Sequence, residues 1–147
     1  MLKKSIFPYC HPERSEGSRG FEILRFTQND RFNDFFNTFL ENYRQLIRKI
    51  LTEHAQIPYA HGDIQSEVVF DRESDRYLLV ILGREGARRV HGCLIHIDII
   101  NGKIWIQRDG TEYGIANELV RAGVPKDHIV LGFRSPEIRK YTESAVA

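Results

Sequence analysis

From Thr38 onward the chain alternates apolar and polar positions in two distinct rhythms. Phe39, Tyr43, Leu46, Ile47, Ile50, Leu51 and His54 recur at three- and four-residue steps. That spacing lays one apolar stripe along an amphipathic helix. Thr38 and Glu41 have the spacing of a capping box, so the helix is expected to begin there. It should end near Ala55, because Pro58 prevents continuation. Residues 66–71, 77–82, 89–100 and 103–108 then read as four strands. They are separated by a polar turn at 72–75, by Gly83-Arg84-Glu85-Gly86, and by Asn101-Gly102. Asn-Gly between apolar runs is a strong hairpin signal, because both residues tolerate positive φ. Hairpin chemistry at each junction makes the four an antiparallel meander. A second helix follows, with Thr111 as expected N-cap and Ile115, Ala116, Leu119, Val120 and Ala122 as its apolar stripe. Gly123 and Pro125 stop it. Residues 128–133 read as a short strand, and Ser135-Pro136 opens a last short helix. The expected class is α+β: N-terminal helix, four-stranded meander, helix, short strand, short helix.

Alternation along the third strand puts Cys93, Ile95, Ile97 and Ile99 on one face and Leu94, His96, Asp98 and Ile100 on the other. The fourth strand divides Ile104 and Ile106 from Trp105 and Gln107. The second strand is apolar on both faces. One face must pack the helices. The other, with Trp105, Gln107, His96 and Asp98, is too apolar to be comfortably solvated. It is read either as a partner or self-association surface, with Arg84, Arg88 and Arg89 near its edge, or as a face covered by another helix of the same chain.

Residues 1–36 follow neither rhythm. Residues 11–20 are polar and rich in turn formers, and are expected to be unstructured. Residues 11–18 and 24–30 resemble translated fragments of a repeated DNA element, so 1–36 is read as a fusion or an over-extended start, and 37–147 as the domain. No continuous apolar stretch or small-residue cleavage site marks a signal peptide. The apolar run 78–82 is far too short to span a bilayer.

Twenty-one Lys and Arg against twenty Asp and Glu give a formal charge of +1. That excludes the strongly basic footprint of a protein held on nucleic acid by its phosphates. Arg44, Arg48 and Lys49 are accordingly read as a solvated helix face. The two cysteines, Cys10 and Cys93, have no ligand-like spacing around them, which fits a reducing cytoplasm without a disulfide. Cys93 reads as a buried structural thiol. His91, His96 and Asp98 form the richest reactive set, but only His96 and Asp98 share a face by alternation. Asp109 and Glu112 could add carboxylates from the next turn. A structural His–Asp hydrogen bond is preferred to a metal site. Ser66 and Ser74 lack a nucleophile-elbow setting, and no phosphate loop is present. No catalytic residue, cofactor or metal is expected.

In order and with matching gaps, Arg89-Val90-His91-Gly92-Cys93, His96-Ile97-Asp98-Ile99-Ile100, Gly102-Lys103-Ile104-Trp105-Ile106-Gln107 and Asp109-Gly110-Thr111-Glu112 resemble the XisI family, the fdxN element excision controlling factors of cyanobacteria. Gly114-Ile115-Ala116, Gly123-Val124-Pro125-Lys126 and Ile129-Val130-Leu131-Gly132-Phe133 continue the likeness, which covers residues 38–147. Arg84, Tyr113 and Ser135 depart from the family pattern. The resemblance implies a non-enzymatic accessory factor for site-specific DNA excision in heterocyst-forming cyanobacteria. It further implies a separate recombinase and an XisH-like partner of nuclease fold, with homo-oligomerisation expected and direct DNA contact left open. The alternatives are an antagonist that restrains such a nuclease-like partner, in the manner of an antitoxin, and a small metal-dependent enzyme using His91, His96 and Asp98.

Overall fold

A computed structural model describes the backbone from Arg19 and the side chains from Asp30 to the C-terminus. Cys10 and most of the run expected to be unstructured, residues 11–18, lie outside the described residues. The chain divides between Phe36 and Asn37. Helix α1, Arg19–Ala55, runs through that division. Thr38 is therefore inside a helix and not at its cap. The reason is visible in the sequence: no Gly or Pro occurs from Phe21 to Ala55, so nothing there stops a helix.

The remaining elements are β1 (Asp63–Asp71), β2 (Arg76–Glu85), β3 (Arg88–Ile100), β4 (Lys103–Asp109), α2 (Ile115–Arg121), β5 (Ile129–Leu131) and α3 (Pro136–Arg139). The strands form one sheet in the order β1-β2-β3-β4-β5. The first four are antiparallel neighbours, as the hairpin signals require. The short strand β5 joins this sheet, pairing parallel to β4 with α2 as the connection between them. The result is a five-stranded mixed sheet rather than an isolated meander.

Turn chemistry places the strand ends. Asn101 and Gly102 both adopt positive φ, 51° and 75°, the geometry of a two-residue hairpin whose twist matches its strands. The second turn is shorter than expected and lies at the C-terminal end of the expected 83–86 run. Gly83 belongs to β2, opposite Ile64, and the chain reverses at Gly86-Ala87. A Cβ on Gly83 would sit 1.9 Å from the Asp63 carbonyl oxygen, so only glycine lets β1 lie there.

Helices cover one face of the sheet. Tyr43, Ile47, Ile50 and Leu51 of α1 and Ile115 and Leu119 of α2 are buried against Tyr77, Leu79, Ile95, Ile97, Ile99, Ile104, Ile106 and Ile129. The α1 stripe is thus the one the periodicity predicts. The end of α2 is a Schellman turn: Val124 N–H donates to the Leu119 carbonyl and Gly123 N–H to that of Val120. Its start differs from expectation. Ile115 is the first helical residue, and its amide donates to Asp109 Oδ2 at 2.7 Å. Asp109 Oδ1 accepts from the Thr111 amide and hydroxyl. The Asp109 carboxylate is therefore occupied in holding the β4–α2 turn.

An ion pair ties α1 to the β1–β2 turn. Arg44 Nε and Nη2 donate to the two oxygens of Asp75 at 2.7 and 2.8 Å, and Tyr77 Oη donates to Asp75 Oδ1 at 3.1 Å. Asp75 has φ 49° at the turn, and its carbonyl accepts from the Ile99 amide. The Arg44 hydrogen bonds hold the Asp75 carboxyl below its ordinary value, while burial pushes the Tyr77 phenol up to about 12.

Because the folded pKa of Asp75 is the lower one, the unfolded chain takes up the proton first as the pH falls. The contribution of this pair is full above the unfolded value of about 4 and drains away as the pH drops through the folded value. Asp75→Asn keeps a residue that tolerates positive φ but removes the charge. It should cost about 1–3 kcal/mol near neutrality. It should also flatten the fall in urea-unfolding stability that the unaltered protein shows between about pH 5 and pH 2.

Candidate interaction face

The face of the sheet away from α1 and α2 is built in cross-strand rows. Residues directly opposite one another in an antiparallel pair project to the same side. At the β2–β3 hairpin end, Asp63, Arg84 and Arg89 are in register. The next rows are Gln65, Leu82 and His91; then Glu67, Val80 and Cys93; then Val69, Leu78, His96 and Arg108. The last is Asp71, Arg76, Asp98, Trp105 and Val130.

This assignment corrects the simple alternation. The β2–β3 register shifts between Leu79 and Val80, so that Leu79 opposes Ile95 and Val80 opposes Cys93. Leu94 is the extra residue of a β-bulge, and it packs against the helix-side core beside Ile95. A bulge reverses the parity of everything before it. His91 and Cys93 consequently share the face of His96 and Asp98, and are not opposed to them. A second shift, after the His96–Arg108 pair, leaves Gln107 as the extra residue on β4. Its amide reaches the same face.

Asp98, only 6% exposed, is the centre of a polar cluster. Its Oδ1 accepts from Arg76 Nε at 3.1 Å and lies 3.2 Å from His96 Nε2, and its Oδ2 accepts from Gln107 Nε2 at 3.1 Å. The His96–Asp98 contact is the structural hydrogen bond the sequence suggests. Although His91 is on the right face, no group of three His, Cys, Asp or Glu side chains able to hold one metal ion occurs among the described residues. Cys93 donates its thiol to the Ile95 carbonyl at 3.2 Å, and burial pushes its pKa up. A thiol held protonated is a poor nucleophile and a poor ligand.

The two ends of the face differ. At the β4–β5 end the chain covers itself. Arg139 of α3 lies over the Trp105 ring, 5.2 Å from its centroid. Its guanidinium is fixed by the carbonyls of Leu131, Gly132, Arg134 and Val146. Ala145 bridges to Val130, which is fully buried. Gly132 leaves room for the Gln107 side chain, since a Cβ there would meet Gln107 Oε1 at 2.6 Å. Here the reading of a face covered by a helix of the same chain describes the molecule.

Among the described residues nothing comparable lies over β1, β2 and β3. Leu78, Val80 and Leu82 are half-buried and Val69 is 46% exposed, and none of the four packs against the helix-side core. Arg84 and Arg89 face one another at the hairpin end of this strip with no carboxylate in ion-pair contact. Arg88 opposes Glu85, off the face. The structure therefore separates the predicted surface residues into two groups. Trp105, Gln107, His96 and Asp98 are joined in or beside one polar, partly roofed cluster, and Arg84 and Arg89 border the open apolar strip. The strip itself was missed as a site, although the apolar residues on both faces of the second strand signalled it.

Replacing Trp105 by Ala removes the surface on which Arg139 rests and uncovers Val130. The expected result is a loss of roughly 2–4 kcal/mol in urea unfolding. Unchanged stability would show that the ring is free.

The family model of the XisI protein matches residues 38–146. Among solved structures, a XisI-like protein from Anabaena variabilis is similar at 39% identity and a TM-score of 0.69, over 74% of this chain and 99% of that one. The fdxN element excision controlling factor XisI from Anabaena variabilis is similar at 34% identity and a TM-score of 0.65, with the same coverage. No curated protein matches. On the family match and the likeness to both structures, the chain belongs to the XisI family.

Proposed function

We propose that this protein is a non-enzymatic controlling factor of DNA-element excision that works through protein contacts, with the open part of the sheet face as its docking surface. One observation carries the reading. Outward positions of an antiparallel sheet with one solvated face are ordinarily polar, yet β2 presents Leu78, Val80 and Leu82 there with no helix over them among the described residues.

The electrostatics support the same reading. Charge of both signs borders the strip: Arg84 and Arg89 stand with Asp63 at one end, Glu67 lies along β1, and Arg76, paired with Asp98, stands with Asp71 and near Arg108 at the other. An apolar patch with a rim of both charges suits a protein surface with a complementary, mixed margin. The chemistry on this face supports no catalysis: Asp98 is fully engaged, and Cys93 is held as a thiol. The near-zero net charge favours protein contact over sequence-independent DNA binding. The partner best matching the family role is a protein of nuclease fold, with strand exchange left to a separate recombinase.

Co-purification of this protein with the product of an adjacent nuclease-like reading frame tests the proposal. A stable complex is expected by light scattering after size exclusion. Leu78→Lys should weaken it at least about tenfold, the effect of burying an unpaired charge in an interface core. The melting temperature of the free protein should be little changed. A complex indifferent to Leu78→Lys would contradict the assignment of the face.

A further inference from the structure

A second surface lies apart from the sheet face, where the end of α1 meets the β4–α2 turn. A cleft of about 340 Å³ opens there between residues 54–60, Ser66 and Leu94 on one side and residues 111–113 and Glu118 on the other. That volume is at the lower end of the range for specific binding sites, and the walls are mainly apolar.

The charged groups of the lining are His54 and two carboxylates. The carboxylates are Glu112 and Glu118, and the lining contains no Lys or Arg. Glu118 is oriented by His54, whose Nε2 lies 2.9 and 3.0 Å from its two oxygens. Glu112 is exposed, with no ion pair or hydrogen bond among the described residues. Two tyrosines border the cleft, Tyr59 at 37% and Tyr113 at 78% exposure, and Ile57 beside them is 59% exposed. An exposed carboxylate beside two tyrosine rings and an apolar lining is complementary to a cation on an apolar stem. A small amine would fill the cleft and leave Ile57 and Tyr113 in water. A polypeptide segment would cover them.

We propose that this cleft is a docking site for a lysine or arginine side chain carried by a segment of a partner protein. The proposal rests on the protein-contact reading but uses a different surface, so a partner could grip the molecule at two places. Glu112 meets the cation, and Tyr59 and Tyr113 flank its stem.

The test uses the full chain and an acetylated, amidated tripeptide with arginine between two leucines, followed by amide chemical shifts. The peptide is expected to move the resonances of Tyr59, Ser66, Glu112 and Tyr113. Glu112→Gln, at a position without partners among the described residues, should weaken binding roughly threefold with unchanged melting. The same peptide with glutamate in place of arginine should produce no shifts. Shifts from both peptides alike, or from neither at millimolar concentration, would overturn the proposal. So would equal binding of butylammonium, which would assign the cleft to small amines. A change of oligomeric state in Glu112→Gln would assign it to a second copy of the chain. Because the Leu78→Lys complex measurement reads the sheet face alone, failure of either proposal is recognisable without the other.

Discussion

The architecture depends on one imbalance: among the described residues, α1 and α2 pack on one side of a five-stranded sheet, and only the short α3 reaches the other. The core segment of α1 and the short α2 together bury the isoleucine-rich face of β3 and β4. The chain has no further long helix after α2. Its last segment, α3 and the residues after it, reaches only the β4–β5 end of the other face, where Arg139 lies on Trp105 and Val130 is closed off. The rest of that face keeps apolar side chains that no described residue covers in this way. A sheet built this way exposes hydrophobic area unless something docks on it. A factor that works through contacts has a use for that exposure.

The polar network on the same face supports this division. Asp98 is buried yet satisfied three ways, by Arg76, His96 and Gln107. A buried carboxylate so fully engaged fixes the end of the sheet and has little capacity left for chemistry. Asp109 is similarly spent on the first turn of α2. Two carboxylates that a linear reading offers as possible metal ligands are thus engaged in structural hydrogen bonds. Glu112, three positions after Asp109, has no ion pair or hydrogen bond among the described residues and lines the cleft instead.

Much of this was legible in the residues. The α1 stripe, the Asn101-Gly102 hairpin, the Gly123 stop and the α+β class follow from local chemistry that tertiary contacts do not override. Three features were not. The start of α1 was placed at Thr38 because a capping box is a permissive signal, and an unbroken run of helix-compatible residues upstream can overrule it. The faces of His91 and Cys93 were misassigned because strict alternation fails at a bulge, and Leu94 carries no local mark of being the extra residue. The cover over Trp105 comes from Arg139, thirty-four positions downstream, through a cation–π contact that no short-range pattern encodes. Boundaries and faces are decided by packing, whereas element types are decided locally.

The central claim is that the uncovered strip of the sheet, and not the helical face, is where a partner sits. Methyl spectra of the complex with a nuclease-like partner test it most directly. The methyl resonances of Val69, Leu78, Val80 and Leu82 should shift and show cross-relaxation to the partner, while those of Val120 and Leu119 stay in place. Shifts confined to the α2 side, with the four strip residues unmoved, would contradict the account.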